Sequence, residues 1–254
     1  MIIAIIQARV GSTRLPNKVL KYLEDKTVLE HVVNRVRKSN YIDEVFVATT
    51  IAENNLPIIQ LCSSQNIRVF CGSEDDVLDR YYQLAKLIRP DHIVRITSDC
   101  PVIDPVIIDS IIENHLNSKS DYSSNTIVDS YPDGIDTEIF SYPTLEKTWK
   151  EANLLSEREH VTPYIKKHSD LFRLNSIVSE VNYAEKRWTL DTDKDFEFLK
   201  IIFENLYMKN HSFGMNDILK LLIEQPHLEK INSNIIRNEG FLKSLSNDKL
   251  FKEQ

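Results

Sequence analysis

Three basic side chains stand within ten residues of one another in an early loop of the sequence. Residues 7–18 read QARVGSTRLPNK and include Arg9, Arg14 and Lys18, on a chain that is acidic overall. An arginine can hold a phosphate group through two parallel hydrogen bonds, whereas a lysine acts as a compact point charge. Ser12 adds a hydroxyl group and a backbone N–H. This spacing predicts a site for a phosphate-bearing ligand; a solvated basic turn is the alternative.

Aspartates follow two of the predicted strands. Asp99 comes after the segment HIVRITS, and Asp191 comes after RWTL. Mg²⁺ in proteins is usually held by one or two carboxylates together with phosphate oxygens, so an aspartate at a strand end is suited to hold the ion beside a phosphate. Asp99 and Asp191 are therefore the predicted metal ligands, and together they could clamp a single divalent ion.

Two further stretches are unusually rich in polar side chains. One of them, YPDGIDTE, combines a turn signal with the carboxylates of Asp136 and Glu138. The other, SEREH, opens a predicted helix and places Arg158 close to His160, a combination that suits anion binding. A structural role is the alternative for His160, because a single histidine in a helix is more often structural.

The composition limits the kinds of protein that this chain can be. Its 254 residues include 31 Lys+Arg and 38 Asp+Glu, which gives a formal charge of −7 at pH 7. An acidic chain without a basic tail is poorly suited to nucleic acids, whose binding depends mainly on phosphate neutralisation. The chain has five glycines, where an average usage of about 7% would give roughly 18. This scarcity argues against the glycine-rich phosphate loops GxxxxGK[ST] and GxGxxG.

Cysteine usage and hydropathy point to the cytoplasm. Cys62, Cys71 and Cys100 form no CxxC pair, so the sequence signals neither a disulfide framework nor a zinc site. The apolar run at residues 2–6 is too short for a signal-peptide core, and no apolar stretch approaches the ~20 residues needed to span a bilayer. We expect a cytoplasmic protein without a membrane partner.

The elements that must position these residues alternate between strands and helices. Residues 2–6 form an apolar, largely β-branched run, which is typical of a strand buried on both faces of a parallel sheet. Further strands are predicted at 44–49, 67–70 and 92–96, and helices near 28–36, 56–62, 77–88 and 107–116. This alternation indicates an α/β fold with a mostly parallel sheet. Ligands of such sheets bind outside the carboxyl ends of the strands, where the basic loop and Asp99 are expected.

The pattern loosens after about residue 120. Short strands are predicted at 121–125, 135–140, 172–177 and 187–190, and helices at 144–152, 157–167, 193–207 and from 214 onward. No linker or repeat divides the chain. We therefore predict one α/β domain over residues 1–254, with an overhanging segment at 121–185 and a helical C-terminal extension at 208–254.

Six motifs, taken in order, resemble those of the CMP-sugar cytidylyltransferases, a group that includes the CMP-3-deoxy-manno-octulosonate and CMP-acylneuraminate synthetases. The resemblance is closest to the spore-coat polysaccharide SpsF-like branch and covers residues 7 to about 200. It rests on QARVGSTRLPNKVL, VFCGSEDDVLDRYY, VRITSDCPVIDP, YPDGIDTEIF, LLSEREHVTPYIKKH and KRWTLDTDKDFEFL. It implies a Rossmann-like nucleotidyltransferase fold with helices on both faces of the sheet, and a homodimer formed through the overhanging segment.

The resemblance also implies an activity, the Mg²⁺-dependent transfer of CMP from CTP to a sugar acid with release of pyrophosphate, in surface polysaccharide biosynthesis. The implied catalytic residues are Arg14, Lys18 and Asp99, and the implied Mg²⁺ ligands are Asp99 and Asp191. The implied nucleotide contacts are Ala8, Arg9, Ser12, Arg14, Lys18, Cys71, Gly72, Asp79 and Arg80. The sugar would face Asp136, Glu138, Arg158 and His160, with Arg158 as the cation for the acid group.

The chain departs from the octulosonate enzymes at two motifs. It has Gln7 where they have proline, and residues 98–101 read SDCP where they read GDEP. These differences concern the acceptor more than the CTP chemistry. Two alternatives stay open. One is a nucleotide-sugar glycosyltransferase, because residues 191–193 (DTD) satisfy the Asp-x-Asp metal motif. The other is a non-catalytic nucleotide-binding partner in polysaccharide assembly.

Overall fold

Seven strands form one central sheet in the computed structural model, which describes residues 1–251. In chain order the strands are β1 (Ile2–Gln7), β2 (Tyr22–Leu23), β3 (Lys26–Thr27), β4 (Glu44–Thr50), β5 (Arg68–Gly72), β6 (His92–Thr97), β7 (Tyr122–Ser124), β8 (Glu138–Ser141) and β9 (Leu174–Ser176). The central sheet has the order β5-β4-β1-β6-β8-β7-β9, and β2 and β3 form a separate small hairpin. Strands β1, β4, β5 and β6 run parallel, whereas β8 is antiparallel to β6 and β7. The predicted mostly parallel sheet is confirmed.

Helices cover both faces of the sheet, as predicted. They are α1 (Val28–Val36), α2 (Leu56–Ser64), α3 (Val77–Ile88), α4 (Pro105–Ser118), α5 (Tyr142–Glu151), α6 (Leu155–His160), α7 (Pro163–Lys167), α8 (Asp193–Leu206), α9 (Met215–Glu224) and α10 (Glu239–Ser246). No helix within residues 1–251 is both long enough and apolar enough to cross a bilayer.

Strand β1 lies at the centre of the fold and contributes to two hydrophobic cores. Ala4 and Ile6 belong to the core beneath α1, α4, α8 and α9, while Ile3 and Ile5 belong to the core beneath α3 and α5. Successive side chains of a strand point to opposite faces, so an unbroken apolar run must be covered on both sides. This explains why the first strand has no polar face.

Side-chain caps fix where α1 and α3 begin. Thr27 Oγ1 accepts a hydrogen bond from Glu30 N at 3.2 Å, and the Glu30 carboxylate accepts one from Thr27 N at 2.7 Å. This reciprocal pair is a capping box, and it starts α1. Asp76 accepts a hydrogen bond from Asp79 N at 2.8 Å and starts α3 in the same way.

Two predicted elements are wrong. The single helix predicted at 157–167 is two helices, because Val161 has φ 71° and ψ −52° and Thr162 N donates to His160 O at 2.8 Å. Such a backbone conformation is strained for a β-branched residue. The strand predicted at 187–190 is not formed; Arg187 makes only an isolated bridge with Asp133 there.

The second half of the chain extends the same fold. Residues 121–185 add β7, β8 and β9 to the sheet and pack α5 and α6 against α3. Their role in a dimer stays a prediction. The extension contains α9, the 3₁₀ helix Pro226–Lys230 and α10. Residues 252–254 of the predicted extension lie outside the described residues.

Candidate functional site

The carboxyl ends of the strands bring the predicted phosphate and metal residues together. Lys18 lies in the 3₁₀ helix Lys18–Leu20, and its Nζ is 2.7 Å from Asp99 Oδ2 and 2.8 Å from Asp191 Oδ1. Asp99 follows β6, and Asp191 precedes α8. Two carboxylates that are distant in the sequence therefore converge on one ammonium group.

The basic loop folds back on itself, which turns Lys18 toward the aspartates. Val10 and Leu15 are buried, and Asn17 N donates a hydrogen bond to Val10 O at 3.3 Å. Val10 N in turn donates to Asn55 Oδ1 at 2.9 Å, which fixes the start of the loop. Asn17 has a left-handed backbone (φ 56°), a conformation that asparagine tolerates better than most residues. The chain thus reverses immediately before Lys18.

Charge complementarity sets the ionisation of this cluster. Burial alone would raise the pKa of Asp99, but the adjacent Lys18 ammonium group lowers this pKa to about 2. Burial alone would lower the pKa of Lys18, but Asp99 and Asp191 together raise it above its ordinary value. At neutral pH an ionised Asp99 therefore faces a charged Lys18.

Asp99 and Asp191 form a suitable donor set for Mg²⁺. Both supply carboxylate oxygens, the ligands that this ion prefers, and both direct them at the position of the Lys18 ammonium group. Within residues 1–251, no group of three or more His, Cys, Asp or Glu side chains is arranged to hold a metal. The two aspartates would therefore bind Mg²⁺ together with phosphate oxygens and water rather than in a closed protein cage. Metal binding stays a prediction.

The other polar side chains of the basic loop lie at the rim of this cluster. Arg14 Nη2 is 3.3 Å from Asp191 Oδ2, and Arg14 Nη1 is 2.5 Å from Glu239 Oε2. Arg9 is exposed and Ser12 is partly exposed. The rim therefore presents accessible cations above the partly buried ion pairs of Lys18, an arrangement that suits a phosphate chain.

Arg80 lies against the end of β5, where the nucleotide pocket is predicted. A methyl group at Gly72 would lie 2.9 Å from Arg80 Cγ, so glycine permits this close approach. Arg80 is 2% exposed, and its Nε and Nη1 atoms have no hydrogen-bond partner among the described residues. Cys71, just before Gly72, is half-buried, and Ala8, just after β1, is buried. A buried guanidinium with unpartnered N–H groups is costly unless a ligand supplies acceptors.

Asp79 lies in α3 and contacts α5, and its role as a nucleotide contact stays a prediction. Its Oδ1 atom accepts hydrogen bonds from Trp149 Nε1 at 2.8 Å and from Gln83 Nε2 at 2.9 Å. The Trp149 ring also stacks on Tyr82, with 4.1 Å between the ring centroids. Asp79 therefore joins α3 to α5, and its position in the motif did not reveal these partners.

Arg158 lies in a buried ion pair, and its role as the cation for the acceptor stays a prediction. Its Nε is 2.9 Å from Asp76 Oδ2, and Nη2 donates to the same oxygen. Nη1 donates to Trp149 O at 2.7 Å, and the residue is 6% exposed. Asp76 caps α3 in a buried position and therefore needs a counter-charge, which Arg158 supplies.

Glu138 is the centre of a buried network, and its contact to the sugar stays a prediction. It pairs with Arg95 and, at 3.1 Å, with Lys166, and it accepts hydrogen bonds from Thr162 at 2.6 Å and Tyr122 at 2.5 Å. Burial alone would raise the pKa of Glu138, but Lys166 and Arg95 lower it below its ordinary value. Two cations face one carboxylate, and the Lys166 side chain is 35% exposed. This part of the site is therefore positive and accessible.

Asp136 keeps an accessible position on the predicted sugar side. Its side chain is 26% exposed, and its Oδ1 is 3.3 Å from Arg237 Nη2, which also lies 3.3 Å from Asp129. Burial and the neighbouring Asp133 carboxylate raise the pKa of Asp136 to about 7, against the opposing effect of Arg237. Asp136 can therefore be partly protonated at neutral pH.

His160 is neutral at pH 7 and contacts α10. Its Nε2 is 3.1 Å from Ser244 Oγ, and its ring centroid is 5.0 Å from that of Phe241. Burial lowers the pKa of His160 to about 4, although Glu159 opposes this shift. His160 therefore cannot serve as a cation near neutral pH, and a contact to the sugar stays a prediction.

Four basic residues of this region are not among the predicted site residues: Arg95, Lys166, Arg187 and Arg237. Arg95 interrupts the apolar strand β6, and a charged residue in a buried parallel strand is a signal that could have identified it. Arg187 lies 2.9 Å from Asp133, where a strand is predicted and none is formed. Lys166 lies in the motif LLSEREHVTPYIKKH, but nothing there distinguishes it from Lys167, and none of the six motifs contains Arg237.

Comparisons with known proteins agree with this geometry. A family model described as Cytidylyltransferase matches residues 3–232. The spore coat polysaccharide biosynthesis protein SpsF of Bacillus subtilis is 36% identical over 210 residues, which are 80% of this chain and 86% of that protein. A 3-deoxy-manno-octulosonate cytidylyltransferase of Koribacter versatilis is 30% identical over 113 residues, which are 44% of this chain and 42% of that protein.

A solved structure extends the likeness to the whole fold. The structure of a cytidylyltransferase from Leptospira borgpetersenii superposes with a TM-score of 0.86 and 30% sequence identity, and the match covers 92% of this chain and 98% of that one. The family model spans the sheet, the basic loop and both aspartates of the cluster. The chain therefore belongs to the cytidylyltransferase family.

Proposed function

We propose that this cytidylyltransferase transfers CMP from CTP to a sugar acid of the 2-keto-3-deoxy octulosonic or nonulosonic type, with release of pyrophosphate. The observation that carries the proposal is the convergence of Lys18, Asp99 and Asp191 beside Arg14. A triphosphate requires both a divalent ion and cationic side chains at one place. The name of the SpsF relative supports a role in polysaccharide biosynthesis, and we propose a cytoplasmic homodimer.

The proposed reaction is an in-line displacement at the α-phosphorus of CTP. A sugar hydroxyl forms the new P–O bond while the P–O bond to the β-phosphate breaks and pyrophosphate leaves. Catalysis of such transfers depends mainly on positioning and charge stabilisation. Mg²⁺ held by Asp99 and Asp191 would neutralise charge on the phosphates. Lys18 and Arg14 would hold phosphate oxygens and stabilise the departing pyrophosphate.

Arg80 is the proposed determinant of the base. Cytosine carries two adjacent hydrogen-bond acceptors, O2 and N3, and a guanidinium group presents several N–H donors in one plane. Nε and Nη1 of Arg80 lack partners among the described residues, so a cytosine ring would satisfy them. Uracil has an N–H at position 3 instead of an acceptor. The proposal therefore includes a preference for CTP over UTP.

Lys166 is the cation that we propose for the acid group of the acceptor, in place of Arg158. Arg95 and Lys166 share the single carboxylate of Glu138, so positive charge remains after pairing. Lys166 is the more accessible of the two, with 35% of its side chain exposed against 12% for Arg95. Asp136, which is also accessible, would accept hydrogen bonds from sugar hydroxyl groups.

A nucleotide-sugar glycosyltransferase is less well supported by the same region. The Asp-x-Asp motif of such an enzyme would need both Asp191 and Asp193 at the metal. Of these two, only Asp191 contacts Lys18. Asp193 is exposed in the first turn of α8, and Thr192 caps that helix by accepting a hydrogen bond from Asp195 N at 3.3 Å. The motif is therefore divided between the site and a helix start.

A screen of pyrophosphate release tests the proposal. CTP, UTP, ATP and GTP would each be combined with Mg²⁺ and with octulosonic or nonulosonic acids. We expect release only with CTP and only when an accepted acid is present. Release with no acid, or with UTP as readily as with CTP, would contradict it. Nucleotide binding without any turnover would instead support a non-catalytic partner.

A further inference from the structure

The chain beyond residue 232, where the match to the cytidylyltransferase model ends, returns over the proposed nucleotide site. Residues 237–244 are held at both ends, and we name them the C-terminal strap. At one end Arg237 Nη2 lies 3.3 Å from Asp136, and at the other Ser244 Oγ donates to Glu159 at 2.9 Å. Asp136, a residue of the proposed site, therefore anchors one end of the strap, and Glu159, the neighbour of His160, anchors the other.

Between these two anchors the strap places a carboxylate against Arg14, the residue that is proposed to bind phosphate. Glu239 Oε2 lies 2.5 Å from Arg14 Nη1. The Glu239 side chain is 55% exposed and the Arg14 side chain is 37% exposed. The pair is therefore open to solvent, and its partners can exchange without unfolding the strap.

A carboxylate bound to a guanidinium occupies the same hydrogen-bond donors that a phosphate oxygen would use. Arg14 is proposed to hold the β- and γ-phosphates of CTP, which become pyrophosphate. A CTP or pyrophosphate oxygen that binds Arg14 Nη1 must then displace Glu239 from this atom. CMP lacks these two phosphate groups, so it binds without displacing Glu239.

We propose that Glu239 is an internal competitor for the pyrophosphate portion of CTP. It leaves Arg14 when CTP binds and returns to Arg14 as pyrophosphate departs, which weakens CTP binding and favours product release. Only ion-pair partners change in this exchange, and no covalent bond is formed or broken. The inference rests on the proposed function, because it takes Arg14 as a ligand of the triphosphate.

Calorimetric titration of the full-length protein in the presence of Mg²⁺ tests this competition. CTP, pyrophosphate and CMP would be titrated separately into wild type and Glu239→Gln. Exposed ion pairs are weak, so we expect Kd for CTP and for pyrophosphate to fall by about two- to fivefold in the variant, with Kd for CMP unchanged. Glu224→Gln is the matched control, because Glu224 is exposed and forms no ion pair in the part of the chain described. It should match wild type with all three ligands.

Two results would overturn the inference. Unchanged affinity of Glu239→Gln for CTP and pyrophosphate would show that no competition exists. Equal tightening for CMP would show a general loss of negative charge rather than competition at Arg14. In an Arg14→Ala background, Glu239→Gln should have no further effect on CTP binding. If Arg14→Ala alone binds CTP as tightly as wild type, the triphosphate role of Arg14 in the proposed function fails instead.

Discussion

The Lys18 ammonium group lies 2.7 Å from Asp99 Oδ2 and ties the loop after β1 to the end of β6. Because Asp191 shares the same ammonium group, three predicted site residues form one electrostatic unit. In the proposed reaction Lys18 turns from the carboxylates to phosphate oxygens when the carboxylates hold a metal ion. Loss of either carboxylate would therefore affect both the metal site and the position of Lys18.

Asp99→Asn should keep its fold and release pyrophosphate from CTP at least about 100-fold more slowly than wild type. The amide lacks the charge that binds a divalent ion, and it leaves Lys18 with one carboxylate. A continuous pyrophosphate assay measures the rate, and circular dichroism checks the fold. Asp193→Asn is the control, since Asp193 is exposed on α8. Pyrophosphate release near the wild-type rate by Asp99→Asn would exclude Asp99 as a metal ligand.

Arg158→Ala should lower the free energy of unfolding by about 3–5 kcal/mol, because it leaves the buried Asp76 carboxylate without its partner. Urea denaturation measures this loss. Arg158→Lys keeps the charge but loses the paired hydrogen bonds, so its stability should be intermediate. A fully stable Arg158→Ala protein with a raised acceptor KM would instead favour Arg158 as the cation for the acceptor.

Lys166→Ala should raise KM for the sugar-acid acceptor by roughly 10- to 100-fold, the range expected for a lost hydrogen bond to a charged group. The Kd for CTP should stay at its wild-type value. Lys167→Ala is the matched control, because Lys167 is the next residue of α7 and is exposed. Equal effects of the two substitutions on the acceptor KM would rule out the assignment of Lys166.

Asp136 should make stability depend on pH between about pH 4 and pH 8. Burial and Asp133 raise the pKa of Asp136 to about 7 from an ordinary value of 3.8, so the folded state binds this proton more tightly than the unfolded state does. The proton on Asp136 therefore stabilises the folded state, and this stabilisation is lost as pH rises through this range. The Tm of Asp136→Asn minus that of wild type should increase from pH 5 to pH 8. A constant or falling difference would contradict the raised pKa.

The sequence predicts the first half of the fold because it follows from strand geometry. An unbroken apolar run specifies a strand buried on both faces, and loops that leave parallel strands meet at one edge of the sheet. Asp99 stands just after β6 and follows this rule, whereas the strand predicted before Asp191 is not formed. The convergence of Asp99 and Asp191 on the Lys18 ammonium group is therefore visible only in the structure.

The sequence does not reveal which partner a predicted site residue has when that partner is distant in the chain. Arg158 pairs with Asp76, and Asp79 Oδ1 accepts a hydrogen bond from Trp149. Periodicity also could not predict the break at Val161, because its strained backbone is held by tertiary contacts rather than by local preference. Position in a motif identifies a residue, but it does not identify the partners of that residue.

Phosphorus NMR of full-length protein mixed with CTP, Mg²⁺ and a 2-keto-3-deoxy sugar acid tests the central claim most directly. The account predicts that the three CTP resonances disappear while one phosphodiester resonance of a CMP-sugar and the resonance of pyrophosphate grow in equal amounts. Asp99→Asn should leave CTP intact over the same period. Unchanged CTP with wild-type protein and every acid of both classes, or the appearance of CMP and pyrophosphate without a CMP-sugar, would contradict the account.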